Sequence, residues 1–503
     1  MSKLNGGIIG PDNVPTGAFG SASGVWSLSD VTNYKKQGTW PVALSGHQVA
    51  NSCRFNDGSS DYLIRTPSSA SNKDLWTLSF WIKRSTLGTS QSIYGVYADS
   101  NNQETLAFDS NDKLYWQLYQ SGGVVGQLTT NRLFRDTSAW YHIVVAYDSA
   151  NSTAGNRMRM YINGVEETSF ATDTNPSSGQ DSQWNSTTAH SIGRINTTNY
   201  FDGLITHFNN IDGTALTPTS FGQSDSNGVW IPKPSPSVTY GTNGFFLKMD
   251  NSGNMGLDSG GGSNNFTTNG TITQAKDTPS NVFATFNPLD NYWSSSTYAN
   301  GNNTVTSANN GYTYSTSTLG VNTGKFYWEC KWSAQPTGSS NQVLIGIAKR
   351  PVPNSTTWLG SVAYTYGYQG SDGHVKVSGG NATGSSATTY AVGDIISVAL
   401  DLDNNKLHFA KNGSWTNSSD PAGNSGGVTI TAPDSTSEDS GFYFAAFGDG
   451  NSSLQETGQF NFGNGYFGTT AVTSAGTNAS DNGVFEYDVP TGYTALSTKG
   501  LNS

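Results

Sequence analysis

The sequence predicts an all-β fold, with two tandem β-sandwiches preceded by an irregular N-terminal arm. Three observations carry that expectation. Charged and aromatic residues each make up 12% of the chain and glycines number 59, which fits turn-rich β-structure and is the reverse of a disordered composition. At 503 residues the chain is too long for a single core. Finally, one strand-and-turn phrase is written twice. The first copy is Tyr141-His142-Ile143-Val144-Val145-Ala146-Tyr147-Asp148, then Met158-Arg159-Met160-Tyr161-Ile162-Asn163-Gly164. The second is Ile395-Ile396-Ser397-Val398-Ala399-Leu400-Asp401-Leu402-Asp403, then Lys406-Leu407-His408-Phe409-Ala410-Lys411-Asn412-Gly413. Each reads as a buried strand ending at Asp, a polar turn, a second strand and a closing Asn-Gly. Asn-Gly between apolar strands is the strongest short hairpin signal, because both residues tolerate positive φ.

Taken in order, residues 1–45 form the arm, whose Gly and Pro content forbids a long helix or strand at its start. Ser27 or Ser29 could cap a short helix through Lys36. Trp26, Leu28 and Trp40 have too little local sequence to bury them, so they are expected to dock on another surface and anchor the chain. The first sandwich spans 46–235. Its Trp76, Leu78, Phe80 and Ile82 alternate on one face, as a half-buried strand requires. Further strands are expected at Ser92–Tyr97, Glu104–Asp109, Lys113–Tyr119 and Phe201–Phe208. Residues 236–280 read as a Gly/Ser/Asn/Thr-rich connector in which Phe245–Met249 is a short strand able to return to the first sandwich as an edge. The second sandwich spans 281–503, with its last strand expected over Gly483–Pro490.

Several phrases carry a resemblance. Arg54-Phe55-Asn56-Asp57-Gly58, Leu78-Ser79-Phe80-Trp81-Ile82-Lys83, Trp140–Val145 with Met160–Gly164, and Gly203-Leu204-Ile205 before Ala215-Leu216-Thr217 resemble successive strands of a laminin-G-like domain of the concanavalin A-like superfamily. Gly324–Lys331, Leu344–Ala348, Tyr366-Gly367-Tyr368, Val392–Asp401 and Leu407–Gly413 resemble a SPRY domain, with a Gly/Ser/Thr/Asn insertion from Gly463 to Asn482 as a departure. The resemblance implies two tandem concanavalin A-like β-sandwich (jelly-roll) domains and explains the twin hairpins. The whole arrangement resembles virion structural proteins of tailed bacteriophages, especially those of marine bacteria. That implies a location in the virion after assembly in a host cytoplasm, capsid, portal or tail proteins as partners, and a homo-oligomer, trimers being common among such appendages.

The net charge of −11 argues against nucleic acid, which calls for a basic stripe. No stretch approaches the ~18 apolar residues of a membrane span. Met1–Gly7 lacks the apolar core of a signal peptide, so export by the general secretory route is not expected. Cys53 and Cys330, one in each sandwich and without metal-ligand spacing, are expected as buried free thiols. No cofactor is implied. Glycoside hydrolysis needs two carboxylates facing one sugar ring, and the nearest candidate, Glu486-Tyr487-Asp488, has Pro490 where a further Glu would be required. His142 and His408 lie inside strands, His374 in a turn with no nucleophile near in sequence, and Asp401–Asn405 lacks the Gly and distal Glu of an EF-hand loop. No catalytic residue and no metal site is therefore expected. What remains is binding of a host-surface polysaccharide, in which sugar faces stack on aromatic rings while amides and hydroxyls take the hydroxyl groups. The candidates are Trp184 and Tyr200 with Trp116 and Tyr119 in the first sandwich, Tyr115 joining the last two on a sheet face, and Trp358, Tyr364, Tyr366 and Tyr368 in the second. The alternatives are a free lectin or bacterial adhesin and, further off, a glycoside hydrolase.

Overall fold

The two Asn-Gly steps close hairpins in the computed structural model of the chain, and they do so in the same way. Asn163 (φ 50°) and Gly164 (φ 82°) join Ile162 to Val165, and Asn412 (φ 46°) and Gly413 (φ 79°) join Lys411 to Ser414. In each, the Asn side chain reaches back to cap a strand. The Asn163 Oδ1 accepts from His142 N at 2.8 Å and the Asn412 Oδ1 from Ile395 N at 2.8 Å. The Asp that ends each first strand also caps its own turn, Asp148 through Asn151 (3.1 Å) and Asp401 through Asn404 (2.8 Å). The repeated phrase is thus a repeated set of hydrogen bonds, with each polar residue satisfying a backbone or turn group.

The structure describes residues 48–225, 228–289, 296–308, 311–312, 314–335, 341–349, 357–385, 387–433, 440–451 and 453–502. The arm, with its anchoring candidates Trp26, Leu28 and Trp40 and the short helix considered there, lies outside them. Every extended element described is a β-strand, apart from single 3₁₀ turns. The first sandwich packs an eight-stranded front sheet on an eight-stranded back sheet. The front runs, in spatial order, Phe170–Thr174, Gly123–Leu133, Lys113–Gln120, Asn102–Phe108, Gln91–Asp99, His190–Ile192, Tyr62–Arg65 and Thr267–Asn269. The back centres on Tyr141–Asp148, Leu75–Arg84, Gly203–Asp212 and Ser52–Phe55. Between them lies a core in which Trp76, Trp116, Trp184 and Tyr147 meet ring to ring.

The segment 236–280, read from sequence as a connector with one short strand, contributes three strands to this sandwich. Phe245–Leu247 pairs with Gly203–Asp212, Thr267–Asn269 with Tyr62–Arg65, and Thr273–Ala275 with Ser52–Phe55. Its polar composition hid these pairings, because edge strands of two or three residues need few apolar side chains. A buried ion pair fixes the return. The Asp277 carboxylate takes Lys83 Nζ at 2.7 Å and Trp140 Nε1 at 3.0 Å, with both ionic side chains almost wholly buried.

On the outer side of the back sheet, Trp81, Trp140, Leu204 and Ala275 form a small second core against Trp230. Trp230 Nε1 donates to His142 Nδ1 at 2.9 Å. Since an indole N–H only donates, the His142 proton sits on Nε2 and goes to Ser79 Oγ at 2.9 Å. Burial holds this imidazole neutral, its pKa lowered to about 3. Both ring nitrogens serve packing, as expected for a histidine inside a strand.

The second sandwich packs a nine-stranded sheet, centred on Thr457–Asn461, Lys325–Ala334, Ile395–Asp401 and Lys406–Lys411, on a six-stranded one, centred on Tyr443–Asp449, Val343–Ala348 and Thr365–Gln369. The strand expected over Gly483–Pro490 does not form. Its amides turn inward, and those of Glu486 and Tyr487 donate to the buried Glu329 carboxylate at 2.9 and 2.8 Å. Thr494–Ala495 pairs in parallel with Lys325–Ala334 instead. The Gly463–Asn482 insertion, a departure from the SPRY pattern, meets the first sandwich: Arg54 Nη2 donates to Gly468 O at 2.6 Å and its guanidinium lies 5.4 Å from the Tyr466 ring centroid. Asn302 Nδ2 to Ser85 O (3.1 Å) and Asn56 Nδ2 to Asn300 Oδ1 (3.0 Å) add to the junction. Cys53 and Cys330 are buried free thiols in separate cores.

Candidate functional site

A strand exposes alternate residues on opposite faces, and Lys113–Gln120 does so cleanly. Leu114, Trp116 and Leu118 point into the core, while Lys113, Tyr115, Gln117 and Tyr119 are half-buried on the outer side of the front sheet. The neighbouring strands bring matching polar residues to that side. Gln103 stands opposite Tyr119, Thr105 opposite Gln117, Thr129 opposite Tyr115 and Gln127 opposite Gln117. Hydrogen bonds hold the amides in one orientation: Gln117 Nε2 to Gln127 Oε1 at 2.8 Å, then Gln127 Nε2 to Thr129 Oγ1 at 3.0 Å. The Tyr119 hydroxyl is tied to Gly122 O at 2.7 Å. The result is a largely uncharged surface of oriented amides, hydroxyls and two tyrosine rings, a chemistry suited to sugars.

Trp116 and Trp184, expected as stacking residues, are core residues with no exposed surface. Their rings stack on one another at 5.7 Å between centroids. The loop carrying Trp184 is drawn inward by Glu104, whose carboxylate accepts Trp116 Nε1 at 2.9 Å and Gln183 N at 2.7 Å. Burial raises this carboxyl to about 7. The polar neighbours of Trp184 in sequence, Asn, Ser and Thr, suggested a solvent loop, whereas the indole itself is the loop's anchor.

Tyr200 sits at the end of a short loop laid across the same sheet. Backbone bonds pin the loop at both ends, Phe201 N to Gly193 O at 2.9 Å and Ser92 N to Asn199 O at 2.7 Å. It can lie this close because position 95 has no side chain. A Cβ on Gly95 would stand 2.9 Å from Arg194 O and 3.0 Å from Ile195 Cβ. Arg194 Cζ lies 3.3 Å from the Tyr62 ring centroid, and its Nη1 is 3.4 Å from the Tyr200 hydroxyl. Asn196 to Asn199 are exposed. Sequence reasoning missed Tyr62 and Arg194, whose meeting depends on where the loop folds.

In the second sandwich, Tyr366 and Tyr368 do not sit in a loop. They lie on the strand Thr365–Gln369, 4% and 1% exposed, inside the main core. Tyr368 packs on Tyr390 and Phe409 at 4.9 and 5.0 Å, its hydroxyl donating to Thr388 O. The Tyr366 hydroxyl accepts from Thr431 N at 2.9 Å. Neither ring has a face free for a sugar. Trp358 is half-buried against a satellite cluster of Tyr314, Leu344, Leu359 and Ala446. Tyr364, at φ 63°, covers the buried Lys349 ammonium, which lies 3.8 Å from its ring centroid. A small cleft with a Tyr368, Leu407 and Phe409 floor opens between Ser385, Asn417 and Ser419.

The acidic candidates are structural. Glu486 accepts Thr473 N at 2.8 Å and Asp488 accepts Thr477 N at 2.6 Å, so both hold the insertion in place. Among the described residues no group of three or more His, Cys, Asp or Glu is placed to hold a metal ion. Asp401 caps its turn and pairs with Lys325 at 2.8 Å.

Residues 57–220 match the family described as the concanavalin A-like lectin/glucanases superfamily, and residues 325–464 match the SPRY domain. The chain therefore carries a laminin-G-type concanavalin A-like domain followed by a SPRY domain. Solved structures similar to it include the SPRY domain of human HERC1, at 17% identity over 35% of this chain and 96% of that one, with a TM-score of 0.27. Domains LG4-5 of the mouse laminin α1 chain match at 12% identity over 81% and 83% of the two chains, with a TM-score of 0.28. Domain 4 of AbnA, an extracellular arabinanase from Geobacillus stearothermophilus in complex with arabinotriose, matches at 22% identity over 31% and 69%, with a TM-score of 0.23. No curated protein matches the chain in sequence.

Proposed function

We propose that this chain is a non-catalytic glycan-binding attachment protein, and that the outer side of its front sheet is the binding surface. The observation that carries this reading is the tyrosine–amide surface built by Tyr115, Gln117, Tyr119, Gln103 and Gln127, in which the Gln117 and Gln127 amides are already oriented by one another. Pre-oriented donors lose little entropy on binding, and a ring face beside them takes the apolar side of a sugar. The lectin-like fold supports the same reading. The test is binding of the full chain to an array of neutral oligosaccharides. Tyr119→Ala should weaken the best binder by about 1–3 kcal/mol, as for loss of one stacked ring, without changing the melting temperature by more than a degree or two. Unchanged affinity in Tyr119→Ala and Tyr115→Ala would remove this surface from the reading.

The carrier we propose is a tailed-phage particle, in which the chain meets capsid, portal or tail proteins through its arm and assembles as a homo-oligomer. This rests on the arm-plus-two-sandwich arrangement alone. Mass spectrometry of purified particles tests it, and a chain absent from particles but displayed on a bacterial surface would assign it to an adhesin.

A further inference from the structure

We propose that Arg194, Tyr200 and Tyr62 form a subsite for the carboxylate of an acidic sugar, a hexuronate, beside the neutral surface. This rests on the glycan-binding reading of the front sheet and deepens it. The arginines Arg84, Arg132 and Arg135 meet carboxylates, and Arg65 meets the side-chain amides of Asn243 and Asn264. Arg194 differs. Among the described residues no carboxylate lies within ion-pair distance of it, in a chain where acidic residues outnumber basic ones 36 to 25. Among the described residues the one hydrogen bond of its side chain is the long contact to the Tyr200 hydroxyl, and its Nε is buried without a partner.

Stacking on Tyr62 fixes the plane of the guanidinium while leaving its charge uncompensated. A planar carboxylate is the group such a fork takes, here end-on through Nη1 and Nη2 because Nε is shut off. The half-buried Tyr200 ring stands next to that fork, where the sugar bearing the carboxylate would lie. The two backbone bonds that pin the loop and the bare Gly95 beneath it hold these groups in place before any ligand arrives.

The experiment is titration calorimetry of the full chain with an oligo-hexuronate, its methyl ester, the matching neutral oligosaccharide and a sulfated one. The acid should bind at least tenfold more tightly than its ester. Arg194→Gln should remove that preference while leaving ester affinity unchanged, and Arg194→Lys should keep only a minor part of it. Circular dichroism and the retained ester binding show that the variants are folded. Equal affinity for acid and ester, or an Arg194→Gln protein that still prefers the acid, overturns the proposal. Equal binding of the sulfated sugar overturns the carboxylate assignment in favour of charge alone. If the neutral sugar binds through Tyr119 and the acid gains nothing, only this inference fails; if no sugar binds, the glycan reading fails with it.

Discussion

At the scale of single residues, the chain is notable for carboxyl groups held inside it. Burial raises Asp449 to about 8, and Glu456, Glu329, Glu104 and Asp202 to about 7. An acid with a raised folded pKa binds its proton better folded than unfolded. The stability it contributes is complete below its ordinary value of 3.8 or 4.5 and is lost as pH rises through 7 to 8. Four buried histidines act in the opposite sense. Burial lowers His142 and His207 to about 3, and His190 and His408 to about 4, so acidification below 6.5 favours the unfolded chain. The melting temperature should therefore be nearly flat from about pH 4.5 to 6.5 and fall on both sides. Asp449→Asn should flatten the alkaline limb and raise the melting temperature at pH 8 relative to the parent. A melting temperature that climbs from pH 6.5 to 8.5 would contradict this account. Trp184→Ala, which empties the ring cluster at the centre of the first core, should cost about 3–5 kcal/mol in denaturant unfolding.

At the scale of elements, the legible parts were those whose signal is local. Asn163-Gly164 and Asn412-Gly413 announced their hairpins because the turn needs two residues at positive φ. The strand over Lys113–Tyr119 is expected from sequence, and in the structure its residues alternate between faces, with Tyr115 and Tyr119 outward. The same alternation turns Trp116 inward, so it cannot share a face with Tyr115 and Tyr119, with which the sequence reading groups it as a binding residue. Tyr366 and Tyr368 read from sequence as loop residues between strands, whereas they lie with Gly367 on a buried strand of their own. In a strand covered on both sides, as this one is by Leu359 against Gly367, glycine marks close approach and not a turn. Of the Arg194–Tyr200 loop only Tyr200 was legible, since the loop's seat depends on Gly95, some hundred residues away. Gly95→Val should lift that loop off the sheet. Hydrogen exchange at the Ser92 and Phe201 amides should accelerate at least tenfold while the core amides of Leu75–Arg84 keep their protection.

At the scale of the whole molecule, the two sandwiches are joined through buried polar contacts instead of a slack tether. Lys83→Met should cost about 3–5 kcal/mol, because it strands the Asp277 carboxylate in a buried site. Removing the Arg54 guanidinium, by Arg54→Leu, takes away the contact to Gly468 O while leaving an apolar side chain in the strand. Calorimetry should then resolve two transitions where the parent chain shows one; a single transition in both proteins would show that the coupling does not depend on Arg54, and two in the parent would show that the junction does not couple the sandwiches. The return of residues 236–280 to the first sandwich also sets an order of events during synthesis. The strand Ser52–Phe55 emerges from the ribosome early, yet its edge partner Thr273–Ala275 is made some 220 residues later. A nascent chain halted near residue 235 would expose the unpaired edges of both sheets. Translation through the Gly- and Asn-rich stretch is therefore the interval in which the half-built protein is most open to sticking to its neighbours, and in which a chaperone would be of most use to it.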